Sequence, residues 1–315
     1  MTTRTTGDIS KLGKHFSDED AARELLESLR WPNGAVCPHC GGADPYRLKA
    51  KANSTRPVRN GVWKCRSCRK QFTVTVGTIF ESSHVPISKW LLAIHFLSAS
   101  KKSMSAHQLH RMLGVTYRAA WFMAHRLRHA MQQEPMQLSG TVEMDEMFVG
   151  PRRRRVGKDA NWKPKTPVVA LVEREGGRAQ AFPVPMVNHR TLYAAINKHV
   201  APGTRMITDE FQLYPASMTE NVVRHDTINH GSKVYARGDV HTNTVEGFFG
   251  LMRRGIYGSF HHVSVGHLGR YCDEFSFRYS NRKISDGERA ALIVNGAEGK
   301  RLTYKQPSMA GGPNA

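Results

Sequence analysis

Two Cys-x-x-Cys pairs, Cys37 with Cys40 and Cys65 with Cys68, constrain this chain more than any other feature. Each pair lets two sulfurs converge from one tight turn, and four thiolates match the tetrahedral preference of Zn²⁺. Gly41 and Gly42 suit the turn after the first pair. A redox Cys-x-x-Cys explains one pair but not two, so the spacing predicts a structural zinc ribbon over residues 36–80. Four thiolates leave no open coordination position, so this zinc holds the fold and does no chemistry. Two pairs in so long a chain make no disulfide scaffold, and they indicate a reducing compartment. The fifth cysteine, Cys272, lies in apolar helical text (LGRYCDEFSF) and reads as a small buried hydrophobe.

The 315 residues suggest about two domains. Apolar residues at 40% and charged residues at 23% are ordinary for a globular protein. The charge is not ordinary: 46 Lys and Arg against 26 Asp and Glu give +20. Such an excess favours a polyanionic partner, nucleic acid before membrane. The N-terminal text MTTRTTGDISKLGKHF has no apolar core of a secretory signal, and no apolar run is long enough to span a bilayer. The expectation is a cytoplasmic protein with no membrane partner.

Residues 17–30 (SDEDAARELLESLR) read as a helix capped by Ser17, with Ala22, Leu25, Leu26 and Leu29 on one stripe. Pro32, Asn33 and Gly34 stop it, which closes an N-terminal segment of residues 1–35. The ribbon follows, its β-type residues being Trp63, Phe72, Val74 and Val76, with the basic stretch KAKANSTRPVRNG as a loop or hairpin tip. Residues 81–135 carry three helical segments. The second stops at Gly114 and the third starts at Thr116, a tight join of the helix-turn-helix kind. On the third, Arg118, His125, Arg126, Arg128 and His129 accompany Trp121, Phe122, Met123 and Leu127. An ordinary three-helix bundle with a basic face is the plain alternative. The excess charge and the ribbon favour DNA binding, with Arg118 and Arg126 as contacts.

From residue 136 to 285 the texture becomes α/β. TVEMDEMFVG, PVVALVERE, QAFPVPMV, RMITDE and NVVRHDTIN read as strands, HRTLYAAINKHV and TNTVEGFFGLMRRGI as helices, so a mixed sheet is expected. Residues 286–315 grow polar and read as a tail. Asp145 stands inside an apolar strand, where an acid needs a partner such as a metal. Asp209 ends another strand, and Glu246 sits on a helix. Three such carboxylates can hold two Mg²⁺ ions about 4 Å apart for in-line phosphoryl displacement. By pattern alone Glu143, Glu146 and Glu210 are rivals; alternation puts Glu143 and Asp145 on one face and Glu146 on the other. Asp145 outward on a half-exposed strand, and Asp209 as a helix cap, are the plain readings. The run Arg152, Arg153, Arg154, Arg155, with Lys158, Lys163 and Lys165, reads either as a solvated charge run or, since it directly follows the strand of Asp145, as a phosphate-gripping loop.

Taken together, CPHC…KCRSC with QFTVTVGTIFESSHVPISKW, then VEMDEMFVG, ITDEF, HTNTVEGFFGLMRRGIYGSFHHVS and YCDEFSFRYSNR resemble the IS1595 family of bacterial insertion-sequence transposases, ISXO2-like branch. The resemblance runs from about residue 20 to 285 with every block in order. It implies an RNase H-like catalytic domain behind a zinc ribbon and a helix-turn-helix, with Asp145, Asp209 and Glu246 as a DDE-type triad binding Mg²⁺ or Mn²⁺. The family's third position varies between Glu and Asn; Glu stands here, which implies full metal ligation. It also implies a basic residue seven positions after the third acid, which is Arg253. Asn243 lies one turn before Glu246 on the same face, as a substrate contact or a prop for Glu246. His241, His261 and His262 fall near the site as phosphate or structural contacts. The expected activity is DNA transposition: binding of double-stranded DNA at terminal inverted repeats, cleavage of 3′ ends and strand transfer into target DNA, by a homodimer or larger assembly at the nucleoid. The rival expectations are a ribbon and helix-turn-helix regulator on an inactive RNase H-like scaffold, and a nuclease that cuts without joining.

Overall fold

The computed structural model describes residues 13, 16–49, 60–150, 165–210, 213–214, 218–229, 231 and 236–303. They fall into two compact units. The first takes in the described residues up to Ser100, Met104–Met131 and those from Ile284 onward; the second takes in Lys101–Ser103 and those within Gln132–Lys283.

The first unit opens with α1 (Glu19–Arg30). Its cap is Asp18, whose carboxylate accepts from the N–H groups of Asp20 and Ala21. Ser17, the cap expected from sequence, instead donates its hydroxyl to Gly13 O at 3.1 Å. Asp18 is the better cap because a carboxylate adds charge opposite the helix dipole. Strands β1 (Pro45–Arg47), β2 (Trp63–Cys65) and β3 (Gln71–Phe72) form an antiparallel ribbon in that order. Trp31 packs edge-on against Trp63 and Phe72, and Arg30 donates to Val74 O and Val76 O at 2.7 and 2.8 Å. Most of the basic stretch between β1 and β2 lies outside the described residues.

Helices α2 (Ile87–Ala99), α3 (Ala106–Leu113) and α4 (Tyr117–Met131) come next. Ser105 caps α3, Gly114 ends it with φ of 60°, and Thr116 Oγ1 accepts from Ala119 N at 3.2 Å to start α4. Left-handed backbone at Gly114 costs nothing without a Cβ, so the join is tight. The text that reads as a tail from residue 286 contains one more helix of this unit, α8 (Asp286–Asn295). A capping box of Ser285 and Glu288 starts it, and Ile293 and Val294 are buried. Residues 304–315 lie outside the described set.

The second unit is a five-stranded mixed sheet of order β6-β5-β4-β7-β8. Strands β4 (Thr141–Val149), β5 (Thr166–Glu173) and β6 (Ala179–Pro183) form an antiparallel meander. After α5 (His189–His199), β7 (Thr204–Asp209) lies parallel to β4, and β8 (Val222–Ile228) parallel to β7. Then come α6 (Asn243–Gly255), one π-helical turn (Ile256–Phe260) and α7 (Val265–Ser280). This is the RNase H-like α/β arrangement. Strand alternation divides the core: Val142, Met144, Val169 and Leu171 pack with Leu192 and Ile196 of α5. Met147, Val168, Ala170 and Val172 pack with Val245, Phe248, Met252 and Phe275 of α6 and α7. Cys272 is fully buried in that second layer, as its apolar context predicts.

Candidate active site

The cysteines come together. Their four sulfurs lie within 4.8 Å of one another, with Cys37 and Cys68 at 3.7 Å and Cys40 and Cys65 at 3.6 Å. A tetrahedron with Zn–S bonds of about 2.3 Å has edges of about 3.8 Å, so the cluster fits zinc. Each knuckle ends on a left-handed residue, Gly41 (φ 73°) and Arg69 (φ 62°). Gly42 brings its backbone against the cluster; a Cβ there would sit 3.4 Å from the Cys65 sulfur. The N–H of Cys68 bonds to the Cys65 sulfur and pulls its pKa down to about 6, whereas Cys40, despite the Gly42 N–H, is raised to about 11 by the neighbouring sulfurs.

The acids converge at the other unit's sheet. Thr141 to Glu143 pair with Arg205 to Ile207, and that register continued by two residues sets Asp145 of β4 beside Asp209 of β7. Neighbouring strands are about 4.8 Å apart, so the two carboxylates emerge side by side on the α6 face. Glu246 lies in the first turn of α6 and accepts from Thr242 Oγ1 at 3.0 Å. Burial pushes the Asp145 pKa up to about 7, and the charges of Glu146, Asp209 and Glu246 add to the rise. Against this, the N–H of Glu146 donates to Asp145 at 2.7 Å. No Arg, Lys or His among the described residues pairs with Asp145. A largely buried acid surrounded by acids is stabilised by a cation, and oxygen ligands suit Mg²⁺ or Mn²⁺. Among the described residues only the cysteines bring three or more ligand atoms within 4.8 Å, so the acids are spread more widely.

The rival acids are engaged elsewhere. Glu143, fully buried on the same face, accepts from the N–H groups of Thr244 and Val245 at 2.8 and 2.9 Å and from Thr244 Oγ1 at 2.8 Å. It thereby caps α6 from the sheet, a task Thr242 leaves undone with its own side chain. Arg174 donates to Glu143 at 2.6 Å and also to Asp239 O and His241 O, tying the helix approach to β5. His241 Nδ1 lies 3.0 Å from Arg174, so this histidine belongs to the clamp. Glu146 points to the opposite face and accepts the Tyr214 hydroxyl. Glu210 accepts from Gly231 N at 3.0 Å. The clamp of Glu143 and Arg174 is not legible in the sequence, because nothing local shows that a strand acid will cap a helix a hundred residues on.

The basic candidates divide. Asn243 and Arg253 are exposed on α6, and Arg118 is exposed at the start of α4. Beside Arg118, Tyr117 stacks on His107 with ring centroids 4.3 Å apart. Arg126 is a correction: only 7% exposed, it donates to Leu302 O, Ile79 O and Glu81 O at 3.2, 2.8 and 3.1 Å. It staples the first unit from inside, where no phosphate reaches it. His125 and Arg128 are buried as well, because α8 and its flanks cover the side of α4 that reads as a solvated basic face. Arg152, Arg153, Arg154, Arg155, Lys158 and Lys163 lie outside the described residues, and Lys165 is exposed. His261 and His262 are exposed just beyond the π-helical turn.

Among the described residues no helix is long and apolar enough to cross a membrane. Residues 137–280 match the ISXO2-like transposase domain, and residues 17–71 match the transposase zinc-ribbon domain. The chain is 28% identical over 280 residues to the uncharacterized protein in transposable element ISH50 of Halobacterium salinarum, covering 84% of this chain and 92% of that protein. Among solved structures it is similar to a chain of a simian T-cell lymphotropic virus intasome in complex with PP2A regulatory subunit B56 gamma. That likeness, at 13% identity, covers 55% of this chain and 67% of the other with a TM-score of 0.30, too loose to carry an argument. Two matched domains of one family, in order and together spanning well over half of the sequence, bracket the cysteine cluster and the acids: the protein belongs to the IS1595 family of transposases.

Proposed function

We propose that the protein is a DNA transposase that binds the terminal inverted repeats of an insertion sequence and catalyses metal-dependent 3′-end cleavage and strand transfer. The observation that carries the reading is Asp145: a largely buried carboxylate paired with no basic side chain among the described residues, set in register with Asp209 on the parallel neighbour strand and under the charge of Glu246. Divalent ions bound by these three acids, Mg²⁺ or Mn²⁺, would activate the attacking oxygen and stabilise the leaving one. In cleavage a water oxygen bonds to phosphorus at the element's 3′ end, freeing a 3′-hydroxyl there and a 5′-phosphate on the flank. In joining, that 3′-hydroxyl bonds to a target phosphorus and a target 3′-hydroxyl departs. One P–O bond forms as another breaks, so no external energy source is required.

Other residues orient the strand. Arg253 and Asn243 share a helix face with Glu246, where Arg253 grips a non-bridging phosphate oxygen. Glu143 holds α6, and so Glu246, against β4. Arg118 and Tyr117 occupy the N-terminal end of the second helix of the helix-turn-helix, the end that meets base edges in such motifs. Phosphate contacts from Arg152–Arg155 supply affinity without sequence choice. Bringing two ends together calls for a homodimer or larger assembly on DNA, acting in the bacterial cytoplasm at the nucleoid.

The test is incubation of a labelled inverted-repeat end and plasmid with purified protein and Mg²⁺. Joined product that depends on the metal supports transposition. Cleavage without joining identifies a nuclease, and end-specific binding without either identifies a regulator.

A further inference from the structure

Beyond Glu246 the exposed face of α6 continues into the π-helical turn without a break. Lys102, Gly250, Arg253, Arg254, Tyr257 and Gly258 line an open cleft of about 570 Å³ there. Its cations stand together without a counter-charge: no carboxylate among the described residues pairs with Lys102, Arg253 or Arg254, whereas the arginines beside the sheet are neutralised, Arg174 by Glu143, Arg178 by Glu173 and Arg205 by Asp226. Three uncompensated cations around one cleft repel one another, a cost that an anionic occupant removes.

The floor and wall fit a nucleic-acid strand. Gly250 keeps the helix surface low, with the Arg254 guanidinium 3.4 Å from where a Cβ would stand. Tyr257 is 44% exposed. It sits in a π-helical turn, a local widening common at functional sites, and the turn ends at His261 with a φ of 60°. Tyr257 lies eleven residues past Glu246, about 16 Å along the helix. A flat apolar ring beside phosphate-binding cations matches the stacking platforms that hold unpaired bases. A duplex hides its base faces and offers that ring nothing to cover.

We propose that this cleft binds single-stranded DNA: Lys102, Arg253 and Arg254 take successive phosphates, and Tyr257 stacks on an unpaired base. The placement of that strand beside the reacting phosphodiester rests on the transposase reading; the binding itself does not. The experiment titrates full-length protein into a short single strand carrying 2-aminopurine, without Mg²⁺ and with excess duplex present to fill duplex-binding surfaces. Quenching of the base is expected on binding. Tyr257→Ala should weaken binding about ten-fold and abolish quenching, while Tyr257→Phe retains both. Arg254→Gln and Lys102→Gln should each lower the slope of log affinity against log salt by about 0.7. Circular dichroism checks that each variant is folded. Unchanged binding by folded Tyr257→Ala, unchanged salt slopes, or complete displacement of the strand by duplex would overturn the proposal. Tyr257-dependent binding in a protein that neither cuts nor joins would overturn the transposase reading and leave this one standing. Normal joining with Tyr257-independent binding would do the reverse.

Discussion

Glu143 and Asp145 stand two residues apart on one face of β4, yet their surroundings assign them opposite work. Glu143 is saturated by Arg174 and the first N–H groups of α6; Asp145 has one backbone donor and otherwise faces acids. Removing one partner of a buried ion pair strands the other, so Glu143→Ala should destabilise the protein by about 3–5 kcal/mol in urea unfolding. Glu143→Gln, which still accepts from the helix N–H groups, should cost less. His199 titrates differently. Buried against Phe182, with the Lys198 charge adding, it has its pKa lowered to about 4. A histidine whose folded pKa is depressed contributes full stability above the unfolded value near 6.5, and loses it as pH falls toward 4. The expected loss is on the order of 1–3 kcal/mol across that window, and His199→Gln should flatten the slope in denaturation curves at pH 7, 5.5 and 4. Pattern places Asp145, Glu143 and Glu146 on a strand and sorts their faces. It does not tell the clamp from the site, because that depends on a helix a hundred residues away.

At the scale of elements, periodicity is informative wherever one face is buried. All five strands of the sheet, with α5 and α6, occupy the text read as strand and helix; β5, buried on both faces, is marked by its continuous apolar run and not by alternation. The α4 helix of the first unit defeats pattern because it too is covered on more than one side. Most of α4 is buried, and one carbonyl that holds Arg126 comes from Leu302, 176 residues on. The α8 helix hides in the sequence because its charged first turn masks a short apolar end. Close packing also fixes α6. A Cβ on Gly255 would lie 2.2 Å from the Phe275 ring and 3.2 Å from Lys102 O. Gly255→Ala should therefore cost about 1–3 kcal/mol by overpacking, read as a lower thermal midpoint, whereas Gly247→Ala, with open space around it, should be neutral or better.

Across the whole molecule, two units with different sources of stability are joined in one chain. The first has a three-stranded ribbon with little sheet of its own, and structural zinc contributes on the order of 10 kcal/mol to such folds. Metal analysis should find one zinc per chain. Chelation, or Cys65→Ser, should abolish the unfolding transition of the first unit while that of the RNase H-like unit persists; a single unchanged transition would refute the zinc assignment. On the transposase reading, the net charge of +20 supplies the pull on DNA. On the same reading the acids supply the chemistry, and they can be tested against their own neighbours. Strand transfer of a precleaved end with Mn²⁺ should be compared for wild type, Asp145→Asn and Glu146→Gln. The structure predicts a loss on the order of a thousand-fold for Asp145→Asn and activity within about ten-fold of wild type for Glu146→Gln. Robust joining by Asp145→Asn, or abolition by Glu146→Gln alone, would contradict the assignment of the site.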